Sequence, residues 1–323
     1  MSTTTETSAR RPARPTIDGE WFRRNGVYVA LGLLVVVNVV ITPNFASTGN
    51  LRLQLVQVAP VLVVALGMAM VIGTRGIDLS VGAVMALAAA LIPMYIGYGT
   101  LPAIGMALVG GLVTGALAGT VIARVGVQPI VATLAIMVAG RGVANLFGGE
   151  IKSIRDPGIR ELGSGSVLGI PYVVLCAVVV AIGVYLFMSR STTGRQLVAI
   201  GGNLRAAALA GIPVKRVLTT VYIMSGVLAA FAGVLLASRS QASDPTRIGL
   251  LVELYAITAV VVGGTPLSGG QVRVLGTIAG ALLMQLVTST LIAQSAPDAV
   301  AQIAQAVIVV VAVYVQLGGR RRT

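Results

Sequence analysis

Apolar runs bounded by charge or by Pro and Gly breaks follow one another almost end to end along this chain. A helix crosses a bilayer with about 20 mainly apolar residues. Ten runs suit that role: residues 27–43, 53–73, 79–98, 101–123, 128–147, 168–189, 217–238, 250–264, 274–293 and 299–317. The eighth is short, and reads either as a half-helix or as one that begins before Leu250. The pattern predicts an all-α, polytopic integral membrane protein of about ten transmembrane helices, with no separate soluble domain. The layout is a tail over residues 1–26, a transmembrane domain over 27–317 and a basic tail over 318–323.

Composition agrees. Hydrophobic residues make up 56% of the 323, charged residues 10%, and mean hydropathy is +0.94, where soluble domains carry roughly 25% charge. Forty glycines would weaken soluble helices, but in lipid small residues let helices approach and pack. Gly111, Gly115 and Gly119 recur at four-residue spacing, as do Gly276 and Gly280, and are expected to be packing seams.

Lys and Arg set the orientation, because cytoplasmic loops retain them. With the amino terminus inside, 16 of the 23 basic residues fall on cytoplasmic segments, six on outer ones and Arg141 within the fifth run. Both termini are therefore expected in the cytoplasm, the first as a disordered tail rich in Ser, Thr, Pro and Arg. The first apolar run reads as a retained anchor, since no clear small-x-small cleavage site follows it. The outer segment "GGEIKSIRDPGIRELGSGSVLGIP" is either a solvated connector or a contact for an external partner.

The net charge of +13 follows from this bias and needs no nucleic-acid partner, whose patch would cluster on a soluble module. The chain has no histidine, and its one cysteine, Cys176, lies in an apolar run. A histidine metal site, a histidine relay and an internal disulfide are excluded, and no cofactor is implied. No G-x-x-x-x-G-K-[ST] occurs, so any ATP hydrolysis belongs to another polypeptide. With no nucleophile set beside a base, an intramembrane enzyme is disfavoured.

The stretch "MVIGTRGIDLSVGAVMALAAAL", residues 70–91, puts charge between two apolar runs. Gly73 and Gly76 can adopt conformations that stop a helix. Asp78 is placed to cap a new helix beginning near Leu79 by accepting its amides. The rival reading is a broken helix lining a pathway, since irregular backbone at membrane depth survives only within protein or against water. Arg141 and Glu253 fall near the same membrane face, where a mutual ion pair or snorkelling of Arg141 would relieve their burial. A third feature lies between the sixth and seventh runs. "GGNLRAAALAGIPVKR" begins with the capping residue Asn203, continues through Leu204, Arg205 and three alanines, and ends at Gly211 before Pro213. That spells a helix of about two turns within residues 203–212, too short to persist without a packing partner.

"GIDLSVGAVMALAAAL" resembles the signature of permease subunits of bacterial ABC importers for monosaccharides, the ribose and galactofuranose type. Supporting stretches are "QPIVATLAIMVAGRGVANLF", "GGNLRAAALAGIPVKRV" and "ELYAITAVVVGGTPLSGG", and together they span most of residues 55–290. The family usually has Gly-Gly before Ile-Asp, where this chain has Arg75-Gly76. The resemblance implies a multi-pass subunit of the bacterial inner membrane that pairs with a second copy or a homologous permease. ATP-binding subunits would dock below and an extracytoplasmic sugar-binding protein would deliver from above. It makes residues 203–212 the coupling helix, with Leu204, Ala207, Ala208 and Gly211 in contact with the ATP-binding subunit and Arg205, Lys215 and Arg216 at the rim. A neutral sugar needs hydrogen-bonding and apolar surfaces, and Ser80, Gln128, Asn145 and Tyr255 are candidates for the path. Two alternatives are an ion-driven secondary transporter, which broken helices favour and the scarcity of acids in the spans opposes, and an ABC permease for branched-chain amino acids. A weak echo between "VIGTRGIDLSVG" and "VVGGTPLSGGQV" suggests an internal repeat.

Overall fold

A computed structural model describes residues 19–295 and short pieces beyond them as far as Tyr314. Most of the predicted first tail, the tail 318–323 and much of the tenth run lie outside the described residues. The principal helices are α1 (Gly19–Ile41), α2 (Thr48–Gly73), α3 (Val81–Tyr95), α4 (Thr100–Thr120), α5 (Pro129–Gly148), α6 (Pro157–Ser164), α7 (Tyr172–Arg190), α8 (Thr192–Gly202), α9 (Leu204–Leu209), α10 (Val214–Ser240), α11 (Val252–Val262) and α12 (Val274–Ala293). Among the described residues seven helical stretches are long and apolar enough to cross a membrane: α2, α3 with the 3₁₀ turn that extends it, α4 with a π turn at its end, α5, α7, α10 and α12. Asn25–Ile41 of α1 and all of α11 are apolar but shorter. The chain is an all-α, multi-pass membrane protein.

Burial separates inner from outer helices. The most apolar window of α2 is 78% buried, against 17% in α5 and 22% in α7. Leu66, Met68, Met70 and Ile72 of α2 are sealed, whereas Val138 and Leu146 of α5 are exposed and present side chains suited to lipid. In hydrocarbon, side-chain burial gains little from the hydrophobic effect, so close backbone packing has to hold the bundle.

The expected glycine seams supply it. A Cβ on Gly115 would lie 2.8 Å from Cα of Ile223, and one on Gly119 would lie 2.7 Å from Cα of Thr219. Gly111 meets the carbonyl of Gly226 in the same seam, so α4 and α10 touch backbone to backbone. Gly276 and Gly280 perform the same task between α12 and α11, against Gly263 and Ala259.

The end of the bundle that holds residues 148–171 is more structured than a plain connector. β1 (Lys152–Ser153) pairs antiparallel with β4 (Ala242–Ser243), and β2 (Ser166–Val167) pairs with β3 (Ile170–Pro171) in a tight hairpin. Asp156 caps α6 by accepting from the amide of Ile159 at 2.9 Å and accepts from the hydroxyl of Thr100 at 2.7 Å. Those bonds, the Thr100 hydroxyl foremost, hold its carboxyl below the ordinary aspartate range.

Candidate functional site

The break at residues 74–80 is built differently from the expectation. Gly73 and Gly76 are not the residues that turn the chain, since the left-handed position is Arg75 at φ 70°. The glycines serve close approach: a Cβ on Gly73 would strike Val272 and Leu197, and one on Gly76 would strike the hydroxyl of Tyr222. Nor is Asp78 the cap of a helix at Leu79, because α3 begins at Val81 with Ser80 in the cap position. Asp78 Oδ1 accepts from the amide of Ser80 at 3.0 Å and from its hydroxyl at 2.6 Å. Its other oxygen accepts from the hydroxyl of Ser225 on α10 at 2.8 Å. The side chain therefore ties the start of α3 to α10 inside the protein, where Asp78 is 2% exposed. The Tyr222 hydroxyl, also buried, has no protein partner among the described residues.

Arg75 connects this break to the next element. Its guanidinium donates through Nε to the carbonyl of Gly201 and through a terminal nitrogen to that of Gly202, the last two residues of α8. Helix ends leave such carbonyls without helical partners, and a cation there complements the helix dipole. Gly270 donates its amide to the carbonyl of Gly73 at 3.0 Å, and a Cβ on Gly201 would strike both. The break after α2, the end of α8 and the break between α11 and α12 thus meet at one junction. The two breaks are the stretches whose sequences echo each other.

α8 itself was not foreseen. Ser191 caps it, accepting from the amide of Gly194 at 2.9 Å, so the short capped helix is the second member of a helical pair. Asn203 is the cap of α9, its Oδ1 accepting from the amide of Ala206 at 3.1 Å. α9 is six residues long, closed by Gly211 at φ 79° with Ile212 donating to the carbonyl of Ala207. Leu204, Arg205, Ala208 and Gly211 are exposed, and so is Leu209, at 90%. Ala207 departs from the expected contact set, because it is 5% exposed and packs inward.

Arg141 and Glu253 lie within electrostatic reach of each other but do not form the expected direct ion pair. Arg141 Nη1 donates to the carbonyls of Pro245 and Ile248 at 2.9 and 2.8 Å, and Nη2 donates to that of Gly249 at 3.2 Å. The carbonyls of the loop before α11 converge on the guanidinium and satisfy it in place of the carboxylate. Arg141 is therefore held by protein and does not snorkel. Glu253 Oε2 is buried without a hydrogen-bond partner among the described residues, packed where a Cβ on Gly82 would sit.

The path candidates scatter. Ser80 is sealed against Asp78, Gln128 stands at the start of α5, and Asn145 is exposed on α5. Tyr255 lines a cleft of about 230 Å³ with Val61, Met284 and Gln285. Beside it lies a cluster that sequence reading missed. Gln285 Nε2 donates to Gln57 Oε1 at 2.6 Å and to Ser289 Oγ at 3.0 Å, while Ser289 Oγ donates to Gln54 Oε1 at 2.6 Å. The available signal was spacing: Gln54 and Gln57 stand three apart, and Gln285 and Ser289 four apart, so each pair shares a helix face.

Comparison with known proteins gives the arrangement its setting. The galactofuranose transporter permease protein of Escherichia coli K12 is 38% identical over 299 residues, covering 89% of this chain and 88% of that one. The ribose import permease protein of the same strain is 34% identical over 304 residues, covering 91% and 94%. The fructose import permease protein of Bifidobacterium longum is 36% identical over 282 residues, covering 82% and 79%. No solved structure matches. The model of the family described as branched-chain amino acid transport system / permease component matches residues 50–313, and the chain belongs to that family.

Proposed function

We propose that this chain is the membrane-spanning subunit of an ATP-driven ABC importer that carries a monosaccharide across the bacterial inner membrane. The observation that carries the reading is the likeness to permeases named for galactofuranose and ribose over some nine-tenths of the chain. The family description favours a second reading, import of a branched-chain amino acid. The names of the relatives weigh toward sugar.

In this reading the chain crosses the membrane about ten times with both termini in the cytoplasm, which the bias of Lys and Arg supports. It pairs with a second copy or a homologous permease. Separate ATP-binding subunits dock on α9, and an extracytoplasmic binding protein supplies the sugar. The docking surface is Leu204, Arg205, Ala208 and Leu209, with Asn203 and Gly211 shaping the helix and Ala207 fixing it to the bundle. A motor can move such an equilibrium only through different affinities for the inward and outward states. An exposed helix that follows directly on the clamped end of α8 gives that difference a route into the membrane domain.

The test uses membrane vesicles holding the chain with ATP-binding subunits and a binding protein encoded beside it. Uptake of labelled D-ribose, D-galactose, D-fructose, L-arabinose and L-leucine is measured with ATP and with an uncoupler. Sugar uptake that needs ATP and survives the uncoupler is expected. Leucine uptake alone, or collapse with the uncoupler, overturns the reading. Leu209→Arg, on a side chain free of the bundle, should preserve insertion and lower uptake about tenfold or more by placing an unpaired charge in the docked interface. Unchanged uptake would remove α9 as the docking element.

A further inference from the structure

The glutamine cluster lies at the end of the bundle opposite α9, on the first turns of α2 and the last turns of α12. Its internal bonds engage the amide oxygens of Gln54 and Gln57 and the amide nitrogen of Gln285. Left over are the amide nitrogens of Gln54 and Gln57 and Oε1 of Gln285, which have no protein partner among the described residues. All four side chains are half-buried. The unused groups therefore border open space, and leaving them unbonded in an apolar surrounding is costly.

The unused set has a definite chemistry. Two amide donors and an amide acceptor fit neighbouring hydroxyls, each of which accepts one hydrogen bond and donates another. Among the described residues no charged side chain lines the adjoining cleft, where Tyr255, Val58, Val61 and Met284 offer apolar surface. Glu253 points elsewhere, toward Gly82 of α3. An amino acid zwitterion would bring two charges here and find no counter-charge, at high cost. The 230 Å³ of the cleft equals roughly seven or eight waters at ~30 Å³ each, room for one sugar ring.

We infer that Gln54, Gln57, Gln285 and Ser289, with Tyr255, form a binding site for a neutral monosaccharide within a single copy of the chain. The amides bond ring hydroxyls and the tyrosine covers an apolar ring face. The inference rests on the sugar-importer reading and adds to it the place where the sugar is held and the reason a zwitterion is refused.

Two measurements test it in the full transporter. In a Cys176→Ala background, Gln57→Cys and Ser289→Cys are treated on intact cells with a membrane-impermeant methanethiosulfonate, with and without whichever of the four sugars the wild type imports. Labelling slowed several-fold by that sugar is expected, and absence of labelling overturns the site. Gln285→Leu, an apolar replacement in a membrane helix, should lower uptake about tenfold or more while ATP hydrolysis by the docked subunits persists. Gln285→Asn, which keeps the amide, should restore part of the uptake and alter the ranking among sugars, which a purely structural role would leave unmoved. Wild-type uptake in Gln285→Leu overturns the site and leaves the importer reading intact. Leucine uptake alone by the wild type overturns the sugar-importer reading itself, and a Gln285→Leu protein that fails to insert leaves the labelling to decide.

Discussion

Arg75 is asked to do two opposing things, and replacing it separates them. As a residue at φ 70° it carries the roughly 1–2 kcal/mol cost of a left-handed conformation. Against that stand two hydrogen bonds to the carbonyls of Gly201 and Gly202. Because the side chain is exposed, the lower range of about 0.5–1.5 kcal/mol for each bond applies, or about 1–3 kcal/mol together. Arg75→Ala loses the bonds and keeps the strain, so the α8–α9 pair should loosen by about 1–3 kcal/mol. Arg75→Gly loses the same bonds and sheds the strain, so its global stability should match that of the parent within about 1–2 kcal/mol. Hydrogen exchange at the amides of residues 203–212 should nevertheless quicken in both variants, by roughly 5- to 150-fold for that free energy. The assay is exchange mass spectrometry on the protein in lipid nanodiscs, paired with thermal unfolding. If exchange across 203–212 is unchanged in both variants, the guanidinium is not what holds the segment.

Other consequences follow from the same geometry. Gly115→Ala should lower the unfolding midpoint, because its Cβ meets backbone of α10 and overpacking costs about 1–3 kcal/mol; Gly105→Ala, with nothing within 4 Å, is the neutral control. Ser225→Ala leaves one oxygen of buried Asp78 without its donor and should cost about 1–3 kcal/mol. Asp78→Asn in the Ser225→Ala protein should then cost less than in the parent, read as a double-mutant cycle of thermal unfolding. Asp156, whose carboxyl is held below its ordinary range, stabilises the link between α6 and α4 above the unfolded value of about 3.9. That contribution disappears as pH falls through the lower folded value. Thr100→Val should weaken this acid dependence, measured as unfolding midpoint against pH.

How much was legible depends on whether a residue acts through its own helix or through a distant one. The spans were readable because lipid demands long apolar runs and closed backbone hydrogen bonding, constraints met within each segment. The glycine seams were readable for a related reason: four-residue spacing aligns small residues on one helix face. The cap at Asn203 and the turn at Gly211 are local as well. Two local readings failed where a tertiary demand prevailed. Asp78 sits where a cap is expected, yet its partner Ser225 is 147 residues away. Gly73 and Gly76 were assigned to turning the chain, but neighbouring side chains require their smallness, and Arg75 makes the turn instead.

Sequence by itself determined a multi-pass helical membrane domain, its seams and a short capped helix, because those follow from periodicity, propensity and the solvent. Only tertiary structure decided what the polar residues do. Arg141 had an obvious carboxylate nearby but took three carbonyls from a loop more than 100 residues on. Gln54 and Gln57 became part of a site only when α12 brought Gln285 and Ser289 against them. A hydrogen bond in an apolar interior is chosen by the partners folding delivers to within about 3 Å, and the separation of those partners along the chain carries no record of it.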